Sequence, residues 1–353
     1  MNIYRSILIL LLFFFIFEDY IKNNKKMYKF LKIFTIILLV ILIGFRGNIA
    51  RDDQMYIDLL KQFQYSFDFI KDSRFEILYL FLNGMIKVFT DNYSVLFSIV
   101  AGISLYNLYK FIDFFSVSFF YSLSFYYCRW IFLKEFTQIR SALACSFLYL
   151  ALIELYKKNE NKYYFWILIG GMFHKAIFFC FTFPIFLKLI NRSLKIKEKV
   201  IYIFILIFPI IDFKSYFNIF LSKIGIYQVY LTGRYSDKST DIVYFYSIIF
   251  LVILTLFDKK LKLLFQRKYI FLKKVYIFSC LTGAILYHYG DIAGRLTSFF
   301  NVEFLLQDKL LSLFKNRLIL KVILALFLIG LYYVNFTLKL EIEYWDYFNK
   351  LLN

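Results

Sequence analysis

The chain has 353 residues, 61% of them hydrophobic, and 43 Lys and Arg against 24 Asp and Glu, a net charge of +19. A soluble fold of this size has too little polar shell to cover so much apolar material. A nucleic-acid partner is excluded as the reason for the basic excess, because most Lys falls in short loops between apolar blocks, as in cytoplasmic loops of membrane proteins.

The blocks run to roughly 15–20 residues and lack the alternation of barrel strands. They predict an all-α, polytopic integral membrane protein of about ten transmembrane helices, forming one transmembrane domain over residues 1–353. Five basic runs set the orientation: Lys22 to Lys32, Lys157 to Lys162, Lys188 to Lys199, Asp258 to Lys274 and Lys309 to Lys321. With all five on the cytoplasmic side, a first helix (3–20) runs inward and a second (30–45) outward.

Residues 46–92 then form an external region. Within it, Phe75 to Phe89 is apolar but short and carries Glu76 and Lys87, so it could span, re-enter or lie at the interface. If it does not span, 94–110 runs inward, 114–132 outward, a tight outer turn follows, and 138–156 descends to the Lys157 loop. Tyr163 to Leu187 is too short for two full spans yet has basic flanks on both sides. Two half-helices meeting near Gly170 to His174 reconcile these facts, since broken helices are tolerated where they line a protein cavity. A single span, with the Lys157 loop outside, is the alternative.

Further on, 200–217 goes out, 218–241 is a second external loop, 242–257 returns and 275–290 rises. A short helix near 296–307 descends and 319–337 exits. The four cysteines, Cys128, Cys145, Cys180 and Cys280, have no paired spacing and read as small buried hydrophobes.

Charges on the outer half are the candidates for function, because ionisable groups in or beside the bilayer are costly. They are Arg46, Arg51, Asp52, Asp53, Glu76, Arg129, Arg140, His174, Arg234, Asp237, Asp291 and Arg295. Arg dominates although Lys is the commoner base, and guanidinium grips phosphate oxygens in a bidentate fork. Arg46 also suits a headgroup anchor at a helix end, and Arg129 beside Trp130 reads as an interfacial anchor pair. Gln138 to Ala144 begins a helix whose small residues permit close packing.

Arg46-Gly47, Asp52-Asp53 with Tyr56, Glu76 with Tyr79, Gln138-Ile139-Arg140 with Ala144, and Phe173-His174 together resemble the EpsG-type family of bacterial polysaccharide polymerases, relatives of the Wzy O-antigen polymerases. The five elements stand in the family's order over residues 44–180. The second half matches in character, through Gly233-Arg234-Tyr235 and Arg295. Two departures are the Arg51 or Asp52 in place of a glycine before the Asp, and Ser141 in place of Gln.

The resemblance implies a glycosyltransferase of the bacterial inner membrane, with its site facing the periplasm or cell exterior. It would transfer a growing glycan from undecaprenyl pyrophosphate to a sugar hydroxyl of an incoming lipid-linked repeat unit. It implies no metal and no cofactor, with a chain-length regulator as a further partner. On this reading Arg46, Arg51, Tyr56, Gln138, Arg140, Arg234 and Arg295 bind substrate or pyrophosphate. His174, Asp52, Asp53 and Glu76 form the catalytic set, and which of them is the base stays open. An O-antigen ligase or a flippase of lipid-linked sugars is the competing expectation.

Overall fold

A computed structural model describes residues 3–191, 198–211, 241–314 and 317–335. Among these the chain is helical, with no strand. It divides into two compact units, one of residues 1–178 with 314–353, the other of 179–313.

In the first unit the helices are α1 (Ile3–Ile16), α2 (Glu18–Ile21), α3 (Lys25–Gly44), α4 (Asp53–Gln62), α5 (Phe67–Asp72), α6 (Ile77–Phe89), α7 (Tyr93–Phe115) and α8 (Phe119–Tyr126). They are followed by α9 (Ile139–Tyr156) and α10 (Glu160–Gly171). Asn24 and Asn92 start α3 and α7 by accepting the backbone N–H of Met27 and Ser94. Three helices, α3, α7 and α9, are long and apolar enough to cross a membrane; α1 and α6 are apolar but shorter. Helix α9 packs on α7 and α10, and α3 on α7. Small residues permit the close approach: a Cβ on Gly170 would stand 3.1 Å from the Ala144 carbonyl oxygen.

The unit has two polar ends. At one, buried Glu18 accepts the Tyr28 hydroxyl at 2.7 Å, the Phe119 N–H at 2.8 Å and the Ser118 hydroxyl, closing the start of α8. Lys32 pairs with Asp113 and lies 4.7 Å from the Tyr28 ring centroid. Tyr156 packs on Phe114 and Phe115, both at 5.5 Å, and Lys157 stands over Phe114. The Lys157 loop therefore lies at the same end as the Lys22 to Lys32 loop. The other end gathers Arg46, Asp53, Glu76, Arg140 and His174. Helices α3, α7 and α9 connect the two.

The run from α8 does not turn after residue 132. It continues as a π-helical stretch, Tyr127–Thr137, and turns at Gln138, whose N–H reaches the carbonyls of Leu133 and Lys134. The wider winding turns Lys134 and Glu135 into the interior, where Tyr126 donates to Glu135 at 2.8 Å and Lys134 approaches Ser141 at 3.3 Å. Arg129 thus falls within a helical run and donates to Asn335 at 2.9 Å, while standing 5.0 Å from the Trp130 ring.

Residues 46–92 leave and return at one end, since a Cβ on Gly44, the last residue of α3, would collide with Ser98 in the first turns of α7. Helix α6, about 20 Å long at 1.5 Å per residue, is too short for a 30 Å hydrocarbon layer. It does not cross. Helix α10 breaks at Met172–His174 and gives way to a 3-10 stretch, Lys175–Phe181.

The second unit contains α11 (Thr182–Asn191), α12 (Glu198–Ile207), α13 (Asp241–Leu256), α14 (Asp258–Ile285, kinked at Gln266), α15 (Gly290–Phe299) and α16 (Glu303–Leu311). The single helix expected near 296–307 is two, because the chain breaks at 300–302 and the Asn301 side chain accepts the Glu303 N–H. Buried Lys273 joins Glu198 at 2.7 Å and Asp258 at 2.8 Å, stapling the starts of α12 and α14. Helix α17 (Arg317–Tyr333) belongs to the first unit.

Candidate functional site

Two ion pairs built from candidate residues occupy one end of the first unit. The first is closed. Gly47 adopts φ +72°, a conformation that favours glycine, and turns the chain so that α4 begins under Arg46. The Arg46 side chain is fully buried with Asp53, at 2.5 Å from Nη2 to Oδ1, and its Nη1 donates to the Ile43 carbonyl. Its guanidinium lies 3.8 Å from the Phe97 ring centroid. Asp53 also accepts the Ala50 N–H at 2.8 Å.

The second pair is open to one side. Glu76, immediately before α6, accepts Arg140 Nη1 on Oε2 at 2.6 Å and the Lys175 N–H on Oε1 at 3.1 Å. His174 Nδ1 stands 3.3 Å from the same Oε1. The loop before α6, the first turn of α9 and the break after α10 each supply one group. The Leu78 N–H ties α6 to the break by donating to the Met172 carbonyl at 3.0 Å. Arg140 keeps 18% and His174 24% of its side chain exposed.

Aromatic rings wall the pair. Arg140 is 4.7 Å from the Phe75 ring and 6.0 Å from that of Tyr79, and Tyr56 packs edge-on to Tyr79 at 5.9 Å. Burial pushes the Tyr56 hydroxyl up to about 12, against the lowering effect of the Arg140 charge, so it stays protonated. Burial also raises Glu76. The His174 hydrogen bond, the charges of Arg140 and His174 and the Lys175 N–H outweigh it and hold the carboxyl down at about 2. Among the described residues, the Arg140 Nε and the Tyr79 hydroxyl are buried without a hydrogen-bond partner.

The expected residues divide accordingly. Glu76, Arg140, His174 and Tyr56 come together, and Arg46 with Asp53 forms the closed pair. Asp52 immediately precedes α4 and Arg51 is exposed beside it. Gln138 occupies the turn before α9. Arg295 is an exposed residue of α15, in the second unit. Arg234, Asp237 and the 218–240 part of the second loop lie outside the described residues. Sequence reasoning missed the Lys175 N–H, the Phe75 ring and the Lys134–Glu135 pair. Among the described residues no His, Cys, Asp and Glu cluster could hold a metal ion.

The model of the EpsG family matches residues 29–349. The chain belongs to the EpsG family. The match takes in both units and every group of the Arg140–Glu76–His174 cluster. No curated protein and no solved structure matches the chain. Family and apolar helices together make this a membrane protein of polysaccharide biosynthesis, with a polymerase-type role.

Proposed function

We propose that this EpsG-family protein is a glycosyltransferase that polymerises lipid-linked repeat units. It would move a growing glycan from undecaprenyl pyrophosphate to the terminal sugar hydroxyl of an incoming unit. The observation that carries this is the Arg140–Glu76–His174 cluster, at the end of the first unit opposite the Lys22–Lys32 and Lys157 loops. Those loops are basic, so the positive-inside bias puts them in the cytoplasm and the cluster on the outer face of the bacterial inner membrane.

Each group has a role that its surroundings support. Glu76 holds Arg140 through one N–H, leaving the exposed part of the guanidinium for phosphate oxygens. With His174 donating from Nδ1 to Glu76, its Nε2 carries the lone pair. That nitrogen takes the proton of the acceptor hydroxyl as the oxygen attacks the anomeric carbon. The bond from that carbon to the carrier oxygen breaks, and Arg140 stabilises the charge on the departing pyrophosphate. Glu76 is held too acidic to serve as the base, and Asp53 is enclosed with Arg46. In this reading both positions support the site from beside it, while Arg51, Gln138, Arg234 and Arg295 remain candidates for sugar and phosphate contacts.

The test is polymer formation by purified protein supplied with a lipid-linked repeat unit. Wild type is expected to produce a ladder of longer glycans, where a flippase would change only sidedness. Arg140→Lys and His174→Ala are expected to lose roughly two to four orders of magnitude in rate. Wild-type ladders from both variants would remove the site.

A further inference from the structure

Helix α6 has two faces of opposite fate. Tyr79, Leu80, Asn83, Gly84 and Ile86 are buried, and Tyr65 closes over that side by donating to the Gly84 carbonyl at 2.8 Å. Ile77, Phe81, Met85, Val88 and Phe89 are between 50% and 85% exposed. Their spacing puts them on one side of the helix, as an apolar stripe of about 20 Å. The stripe begins at the residue after Glu76, where the Leu78 N–H is tied to Met172. Three cationic side chains stand at that end: Arg140 on Glu76, and the exposed Arg74 and Lys175.

We propose that this stripe seats the isoprenoid chain of the lipid carrier, with the carrier's pyrophosphate at the Arg140–Glu76–His174 cluster. The proposal rests on the polymerase reading above and extends it to the lipid half of the substrate. An amphiphile with a multiply charged anionic head and a long apolar tail needs a cationic surface continuous with an apolar one. Helix α6 supplies the two in consecutive residues. Because α6 starts at the cluster and is only about 20 Å long, its stripe runs directly from the cluster, and one molecule can touch both.

The experiment compares two donors carrying the same glycan, one on undecaprenyl and one on geranyl pyrophosphate, with the full-length protein in lipid nanodiscs. The double variant Val88→Ala/Phe89→Ala removes exposed side chains at the far end of the stripe, roughly 16 Å along the helix from Ile77 and beyond the reach of a two-isoprene tail. Losing their contact with the tail is expected to raise KM for the undecaprenyl donor about fivefold to tenfold, with kcat and the geranyl donor unchanged. Equal effects on both donors, or none on either, would mean that the stripe meets only bulk lipid and would overturn the proposal. A carrier with a photoreactive isoprenoid chain gives a second reading on wild type. Labelling of the 77–89 peptide, competed by undecaprenyl pyrophosphate, supports the seat; labelling insensitive to that competitor overturns it. Failure of wild type to extend either donor would instead overturn the polymerase reading.

Discussion

His174 Nδ1 lies 3.3 Å from Glu76 Oε1, although 98 positions separate the two residues in the chain. The contact exists because α10 stops at Met172 and the chain after it folds its first N–H groups onto the carboxylate that precedes α6. A carboxylate fixed on one imidazole nitrogen determines which nitrogen faces the substrate, and here it leaves Nε2 outward.

Glu76 itself makes a prediction about acid. Its pKa is lowered from 4.5 to about 2, so folding favours the ionised form. The sign follows: this contribution is complete above the unfolded value of about 4.5 and is lost as pH falls through the folded value near 2. The Tm gap between wild type and Glu76→Gln is expected to be constant above roughly pH 5 and to narrow towards pH 2. Thermal unfolding in detergent across that range measures it, and a gap that widens on acidification would contradict the assignment.

Arg46 and Asp53 are expected to act on stability. Removing one member of a buried pair leaves an uncompensated charge, at a cost of about 3–5 kcal/mol, whereas replacing both by apolar groups is often far milder. Arg46→Met and Asp53→Leu alone should each sharply lower Tm, and the double variant should recover most of the loss. Additive losses in the double-mutant cycle would show that the two residues are not coupled.

Lys273 gives the same kind of test in the second unit. Its ammonium is buried between Glu198 and Asp258, and both hydrogen bonds, set against burial, raise its pKa. Lys273→Ala should destabilise the protein by about 3–5 kcal/mol. The exposed neighbour Lys262→Ala, which removes a surface partner of Asp258, should cost no more than about 1 kcal/mol.

How much of this could be read from the sequence depended on locality. Helices α3, α7 and α9 were legible because each is an unbroken apolar run, and the break near Gly170–His174 followed from a segment too short to cross twice. Helices α4 and α5 were not, because they lie in a polar interval where no hydrophobic period stands out. The candidate residues were found, Glu76, Arg140 and His174 as charges on the outer half and again in the family pattern, but their partners were not. Arg140 and Glu76 are 64 positions apart, and they meet because α9 packs on α10 and the Leu78 N–H ties the start of α6 to the break after α10. Arg46 and Asp53 were both marked, yet as a binding group and a catalytic one. Their pairing depends on the positive-φ turn at Gly47, which no helical spacing reveals. Lys134 and Glu135 looked like part of an outer turn, and only the π-helical winding turns them inward.

The break after α10 is tightly packed, and Gly171 shows how tightly. A Cβ there would stand 2.1 Å from Cε1 of Phe178, too close for any real contact. Gly171→Ala must move that ring, which belongs to the 3-10 turn whose first N–H binds Glu76. Polymer synthesis is expected to fall at least tenfold, a rise of about 1.4 kcal/mol in the barrier to the transfer step. Gly102→Ala is the control, since nothing lies within 4 Å of its added methyl. In vitro glycan ladders from the two variants measure the difference, and equal activity would show that the break tolerates repacking.

The sidedness of the cluster can be tested with thiol labelling. All four native cysteines are buried, so background reaction with a membrane-impermeant reagent should be low. Lys26, Lys158 and Arg51 are exposed, the first two at the end with the Glu18 and Lys32 contacts and the third at the end with Glu76. In intact cells Arg51→Cys is expected to react, while Lys26→Cys and Lys158→Cys react only after the membrane is opened. The contacts of Tyr156 with Phe114 and Phe115 make the Lys158 result the decisive one, because they fix the Lys157 loop to the end where α7 finishes. Labelling of Lys158→Cys from outside, with Lys26→Cys protected, would separate two loops that the packing joins, and Arg140 would then face the cytoplasm, away from an external substrate.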